Sequence, residues 1–217
     1  MLEQITPIVL AGGRSSRMGR DKSFVSLADQ PLIERVLDGL RQTFSRLPLL
    51  VTNRPDEYAH LGFTMVGDKV VGQGPLGGIH AGLCWTETEL NFIVACDMPF
   101  LQPAFIRYMA EQAVGYQVTM PKDGDATEAL HAFYTKDCIT PIEACLAAGG
   151  KRRIIDFLPQ VKVRYIEKAE YEPYHWAQQP FFNVNNGEDL LAAQRLLLKR
   201  EKSWGEQKKQ EEKEASS

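Results

Sequence analysis

The stretch Ile8-Val9-Leu10-Ala11-Gly12-Gly13-Arg14-Ser15-Ser16-Arg17-Met18-Gly19-Arg20-Asp21-Lys22 decides how this chain is read. Ile8 to Leu10 has the apolar run of a buried strand, and Gly12-Gly13 cuts it off. Glycines directly after a strand let the backbone approach a ligand and present N–H groups to it. Arg14, Arg17, Arg20 and Lys22 then place four cations within nine residues. Guanidinium forks match phosphate oxygens and the lysine adds a point charge, so the loop reads as a polyphosphate site. The alternative is a solvated basic turn. Two familiar phosphate loops are excluded by spacing: Gly19 and Lys22 are not adjacent, as a Walker A loop requires, and Gly-x-Gly-x-x-Gly is absent from this loop.

Outward from that loop, short apolar runs alternate with amphipathic stretches. Pro31 reads as the first position of a helix carrying Leu32, Ile33, Val36, Leu37, Leu40 and Phe44 at helical spacing. Leu49 to Thr52 and Phe63 to Val66 read as strands. A glycine-dense turn, Gly72 to Gly78, leads into a helix around Ile79 to Thr86. Phe92 to Cys96 is a fully apolar strand stopping at Asp97. Beyond Pro103 a helix runs to about Ala113, and Gln117 to Met120 and Ala129 to Tyr134 read as strands. Thr140-Pro141 reads as an N-cap and first-turn proline, opening a helix that Gly149 and Gly150 end. Val161 to Ile166 alternates like a half-buried strand, and Asp189 to Lys199 is the last helix. Repeated strand, crossover helix, strand implies an α/β fold with a mostly parallel sheet. Ligands in such sheets bind outside the carboxyl ends of the strands, where the Gly12-Gly13 loop, Asn53 and Asp97 all fall.

Composition sets the bounds. The 217 residues favour one domain, and 44% hydrophobic with 24% charged content suits an ordinary core. One domain over 1–199 is expected, followed by a Lys, Glu, Gln and Ser tail over 200–217 too polar to fold alone. The net charge of −3 gives no global attraction to nucleic acid or anionic membranes, so neither is an expected partner. No apolar run approaches the roughly 20 residues of a membrane span, and Met1 to Pro7 lacks a signal-peptide pattern. A cytoplasmic location is expected. The cysteines Cys84, Cys96, Cys138 and Cys145 and the histidines His60, His80, His131 and His175 are dispersed, which points to reduced thiols and to no His/Cys metal cluster.

Asp97 is the residue best placed for metal chemistry. A carboxylate at the end of an apolar strand is the hard oxygen ligand that Mg²⁺ prefers, although Asp before Pro99 also suits an Asx turn. Asp68 and Asn53 are open to ligand or turn roles, and His131 to a structural or a substrate-contact role. Arg152, Arg153, Asn183 and Asn185 read as an acceptor pocket or as ordinary turns.

Leu10-Ala11-Gly12-Gly13-x-Ser15-x-Arg17-Met18-Gly19-x-Asp21-Lys22 resembles the signature of the molybdenum cofactor guanylyltransferases. The resemblance continues through Asp68, Gly74-Pro75-Leu76-Gly77-Gly78, Asp97-Met98-Pro99, Gly150-Lys151-Arg152-Arg153 and Asn183-Val184-Asn185, in the family's order. Gly77 departs from it, since relatives often carry alanine there. The resemblance implies a three-layer, Rossmann-like domain of the nucleotide-diphospho-sugar transferase type. It implies transfer of GMP from GTP to the phosphate of molybdopterin with release of pyrophosphate. By it, Leu10, Ala11, Gly12, Gly13, Arg14, Lys22, Asn53, Asp68, Gly74, Gly78 and Asp97 would bind the nucleotide. Lys22, Asp97 and Arg17 would form the catalytic set, with Mg²⁺ on Asp97, and Arg153, Asn183 and Asn185 would bind the acceptor. Gly12, Gly13 and Gly78 are expected to leave room for a purine. A monomer is expected, alongside protein partners that deliver the pterin or receive the product. The rivals are a related cytidylyl- or sugar-phosphate transferase and a non-catalytic GTP-binding module. The module could discard Asp97 or Lys22, whereas both are retained.

Overall fold

A computed structural model describes residues 2–12, 22–69, 72–149, 152–172 and 181–199. The chain enters through β1 (Thr6–Leu10) and makes a small hairpin, β2 (Ser26–Leu27) and β3 (Gln30–Pro31). It continues through α1 (Leu32–Thr43), β4 (Leu49–Val51), α2 (Pro55–Tyr58), β5 (Met65–Val66), α3 (Gly74–Trp85) and β6 (Leu90–Ala95). Then follow α4 (Pro103–Gln112), β7 (Val118–Asp123), β8 (Ala126–Thr127), β9 (His131–Thr135), α5 (Ile139–Ala147), β10 (Val163–Glu167) and α6 (Lys168–Tyr171). Residues 187–199 form a further helix, α7.

Among the described residues the main sheet runs β10-β7-β9-β6-β1-β4-β5, with β8 added on β7. β1 pairs in parallel with β4 and β6, β4 with β5, and β10 with β7, while β9 is antiparallel to both neighbours. The alternation of side chains along each strand sorts the core into two layers. Val9, Leu50, Phe92 and Val94 face α1 and α4, burying Ile33, Val36, Leu40, Phe105 and Met109. Ile8, Val51, Ile93 and Tyr134 face α3 and α5, burying Leu76, Ile79, Leu83 and Ile142. Helices on both faces of a mostly parallel sheet give the three-layer domain expected. No helix among the described residues is long and apolar enough to cross a membrane.

Three local readings are corrected. Pro31 belongs to β3 and caps α1 rather than opening it, because its ψ of 143° is extended. α3 starts at Gly74, not near Ile79, so Pro75, Gly77 and Gly78 are helical. Glycine disfavours an isolated helix, but here its lack of a side chain lets α3 settle closely on the sheet, and packing overrides propensity. Thr140 and Pro141 lie in the first turn of α5, whose N-cap is Cys138, since the preceding turn of 3₁₀ helix runs straight into it.

Candidate active site at the carboxyl edge of the sheet

β1, β4 and β6 are parallel neighbours, so their carboxyl ends open on one edge. Cys96 N donates to Leu10 O at 3.2 Å and Ala11 N donates to Val51 O at 2.9 Å, holding the three ends level. Gly12 follows with φ +117°, a conformation that side chains rarely adopt. The place where its Cβ would sit is 3.4 Å from Thr52 Oγ1 and 4.0 Å from an Arg54 guanidinium nitrogen. Gly13, Arg14 and Arg17 lie outside the described residues.

Past the end of β4, Asn53 and Asp68 hold each other twice. Asp68 N donates to Asn53 Oδ1 at 2.8 Å, and Asn53 Nδ2 donates to Asp68 Oδ2 at 2.9 Å. Two loops after adjacent strands are thereby tied into one wall. Gly74, exposed and with φ +61°, starts α3 on the same side of the sheet as β5 ends. Gly78 behaves otherwise. Its missing Cβ would lie 3.3 Å from Leu10 Cδ2 and 3.7 Å from Val51 Cγ1, so the space it leaves is filled by the sheet. Room for a purine does not come from Gly78.

Lys22 and Asp97 meet across the opening. Ser23, fully buried, bonds the Tyr58 hydroxyl at 2.9 Å and the Cys96 thiol at 3.1 Å, which locks the turn carrying Lys22 to the end of β6. Lys22 Nζ donates to Asn185 Oδ1 at 2.9 Å, and Val184 N donates to Asp97 O at 3.0 Å. The Asn183-Val184-Asn185 segment is thus docked on the strand end. Burial pushes the Asp97 carboxyl above its ordinary pKa, and the nearby Lys22 charge pulls partly the other way. Its Oδ1 is buried without a hydrogen-bond partner among the described residues.

Glu128 is a site residue that the sequence did not single out. Because β9 runs antiparallel to β6, the approach to β9 lies at the edge where β6 ends. Glu128 Oε1 accepts from Leu130 N at 3.3 Å and Oε2 from Asn183 Nδ2 at 3.5 Å. Burial raises its pKa, and the Asp97 charge adds to that rise. A carboxylate next to an apolar run, one strand from Asp97, was its signal, but only the strand direction makes it count. Two partly desolvated carboxyls, one with an oxygen lacking a donor among the described residues, suit a hard divalent cation, so Asp97 and Glu128 fit Mg²⁺.

Not every candidate converges here. Arg153 is exposed, and its guanidinium pairs at 3.2 Å with Asp156 three residues on, not with any of these groups. His131 is fully buried between Phe92, Phe105 and Phe181, with its pKa lowered to about 3 by burial. It is a neutral core residue, not a substrate contact. Its two ring nitrogens make no hydrogen bond among the described residues. A shallow concavity of about 470 Å³ opens at the opposite edge of the sheet, lined by Leu90, Tyr116, Gln117 and Thr135 among others. It gathers none of Gly12, Gly74, Lys22 or Asp97, so chemistry rather than cavity size marks the site.

Residues 7–163 match the model of the MobA-like NTP transferase domain. The chain belongs to the MobA-like NTP transferase family. It is 40% identical over 191 residues to a probable molybdenum cofactor guanylyltransferase of Pelotomaculum thermopropionicum, covering 88% of this chain and 92% of that one. It is 32% identical over 185 residues to the molybdenum cofactor guanylyltransferase of Syntrophotalea carbinolica, covering 84% and 87%. Among solved structures it resembles molybdopterin-guanine dinucleotide biosynthesis protein A of Archaeoglobus fulgidus. That match has a TM-score of 0.78 at 26% identity, covering 90% of this chain and all of the other. As a member of the MobA-like family the chain is a nucleotidyltransferase, with the single-domain, mostly parallel fold of the nucleotide-diphospho-sugar transferases.

Proposed function

We propose that this MobA-like transferase moves GMP from GTP to the phosphate of molybdopterin, forming the guanine dinucleotide cofactor and releasing pyrophosphate. The observation that carries the reading is the meeting of Gly12, the Asn53–Asp68 clamp, Lys22 and Asp97 at one sheet edge, with the Asn183–Asn185 segment bonded to the last two. Nucleotide groups and acceptor groups thereby share one opening. The relatives' names supply the acceptor class.

An oxygen of the acceptor phosphate attacks the α-phosphorus. The new P–O bond forms as the bond to the bridging oxygen breaks, and its electron pair leaves with pyrophosphate. A phosphate monoester has a second pKa of ~6, so the nucleophile is mostly dianionic at neutral pH and needs no protein base. The obstacle is repulsion between polyanions. Lys22 places a positive charge at the mouth of the site, and Asn185 fixes its ammonium through one hydrogen bond. Asn183 and Val184 hold the acceptor segment against Glu128 and Asp97, so the two substrates are oriented by one braced unit. Asp97 and Glu128 would hold Mg²⁺, which when bound supplies charge neutralisation on the phosphates and the leaving group. Guanine offers an O6 acceptor and an N2 donor to the backbone groups around Gly12, which adenine does not match, so GTP should be favoured by roughly 10⁴ over ATP.

Pyrophosphate release measured with each of the four triphosphates, with and without molybdopterin, tests this. Release should require GTP, molybdopterin and Mg²⁺ together. Equal turnover with CTP would move the enzyme to the cytidylyl branch, and release without the pterin would remove the acceptor assignment.

A further inference from the structure

We propose that His80, Cys84 and Glu143 form a second, separate metal site, for a borderline-soft divalent cation of the Zn²⁺ type, which staples α3 to α5. His80 and Cys84 are four residues apart on α3 and therefore share one face. Glu143 stands on α5, the helix packed against that face. His80 Nε2 lies 3.0 Å from Glu143 Oε1 and 3.4 Å from Cys84 Sγ. All three donor atoms fall within 4.8 Å of one another.

The geometry asks for more than an ion pair. Both contacts fall on the same ring nitrogen, which carries either one hydrogen or one lone pair. A hydrogen donated to Glu143 leaves this nitrogen unable to accept from the thiol, while a lone pair accepts from the thiol and faces the carboxylate oxygen with no hydrogen between them. A cation at the common focus bonds to the lone pair, the sulfur and the oxygen at once. Donors at about 2.0–2.3 Å from a tetrahedral Zn²⁺ stand roughly 3–4 Å from each other, the spacing approached here. An imidazole, thiolate and carboxylate set excludes Mg²⁺ and Ca²⁺, which take oxygen alone. His80 is only 4% exposed, so packing fixes its ring, whereas Cys84 is half-buried and Glu143 exposed. Water can therefore fill the fourth position.

The site is independent of the nucleotide edge. His80 is six residues beyond Gly74 at the start of α3, about 9 Å along the helix. Its role is to join the helix behind the nucleotide wall to its neighbour, and neither Asp97 nor Lys22 takes part.

Co²⁺ titrated into chelator-treated full-length protein tests the site. With a large excess of Mg²⁺ present to hold the Asp97–Glu128 edge, one equivalent should bind and give a thiolate-to-cobalt charge-transfer band in the near ultraviolet, bleached by Zn²⁺. Cys84→Ser should abolish the band. Glu143→Gln should weaken Co²⁺ binding by roughly 100-fold, at least as much as losing an outer-sphere partner does. Zn²⁺ should raise the melting temperature of the wild type and not that of Cys84→Ser. These two ligands carry the test because a variant at the buried His80 could fail to fold. Absence of a band overturns the proposal, as does a band that survives Cys84→Ser or disappears instead in Cys96→Ser, whose thiol lies beside Asp97.

Discussion

Asp97 and Lys22 sit across one opening, yet the chemistry asks different things of them. Asp97→Asn keeps the shape and removes the charge, so Mg²⁺-dependent turnover should fall about 10²–10⁴-fold. GTP binding without metal should hold or tighten, because a negative charge near the phosphates has gone. Lys22→Ala should weaken GTP binding about tenfold or more with or without metal, since a charge-assisted contact is lost. Calorimetric GTP titrations beside steady-state turnover separate the two, and normal turnover in Asp97→Asn would reduce it to a turn residue. His131 makes a stability prediction. The fold holds its pKa at about 3, below the ordinary 6.5, so only the unfolded chain takes up its proton between those values. Stability should therefore fall below pH 6.5 by up to about 1.4 kcal/mol per pH unit, with no contribution from this ring above it. Asp97 and Glu128 act oppositely, because the fold favours their protonated forms. Denaturant midpoints between pH 5 and 7.5 should show a flatter acid side for His131→Phe than for wild type, whatever the change in absolute stability. Parallel curves would show that the imidazole titrates in the fold as it does in the unfolded chain.

At the scale of elements, α3 shows why glycine positions need tertiary structure to be read. Gly82 has the ordinary helical penalty, and in an exposed helix Gly→Ala would gain about 1 kcal/mol. Here a Cβ would meet Ile8 Cγ2 at 2.9 Å and Val51 Cγ2 at 3.4 Å, inside a fully buried layer. Overpacking of that kind costs about 1–3 kcal/mol, so Gly82→Ala should destabilise by about 1 kcal/mol net in chemical denaturation. A gain in stability would mean that α3 lifts from the sheet freely. The β2–β3 hairpin is a second case. Its turn residues Ala28 and Asp29 both have positive φ, at 45° and 63°, without the Asn-Gly pair that normally announces such a turn. Arg35 from α1 holds the turn, donating from Nε to Leu27 O at 2.8 Å and from Nη2 to Ala28 O at 3.0 Å. The support is supplied from another element, which is why local sequence gave no warning.

Across the whole molecule, two buried layers close on the central sheet within the described residues, and a third, smaller cluster packs Val184 and Ala193 against Leu27, Leu32 and Phe100. Residues 200–217 lie outside the described residues, and their sequence is nearly all Lys, Glu, Gln and Ser apart from Trp204. Deleting 202–217 should leave melting temperature and turnover within error of the full chain, measured by scanning calorimetry and pyrophosphate release. A large loss of stability would show that Trp204 docks on the core.

Sequence by itself determined the α/β class, the glycine and cation loop, and the candidacy of Lys22, Asn53, Asp68 and Asp97. Each is announced locally, by an apolar run and the residue type that breaks it or, for Lys22, by the cations clustered around it. Tertiary structure alone decided that Gly78 packs on Leu10, that Arg153 turns to Asp156, and that His131 is sealed among aromatic rings. It also decided that Glu128 stands near Asp97 and that Glu143 reaches His80. Those facts depend on which strands are neighbours, which way β9 runs and how closely α3 approaches the sheet. Such relations join residues tens of positions apart, and the pattern around any one of them does not contain them.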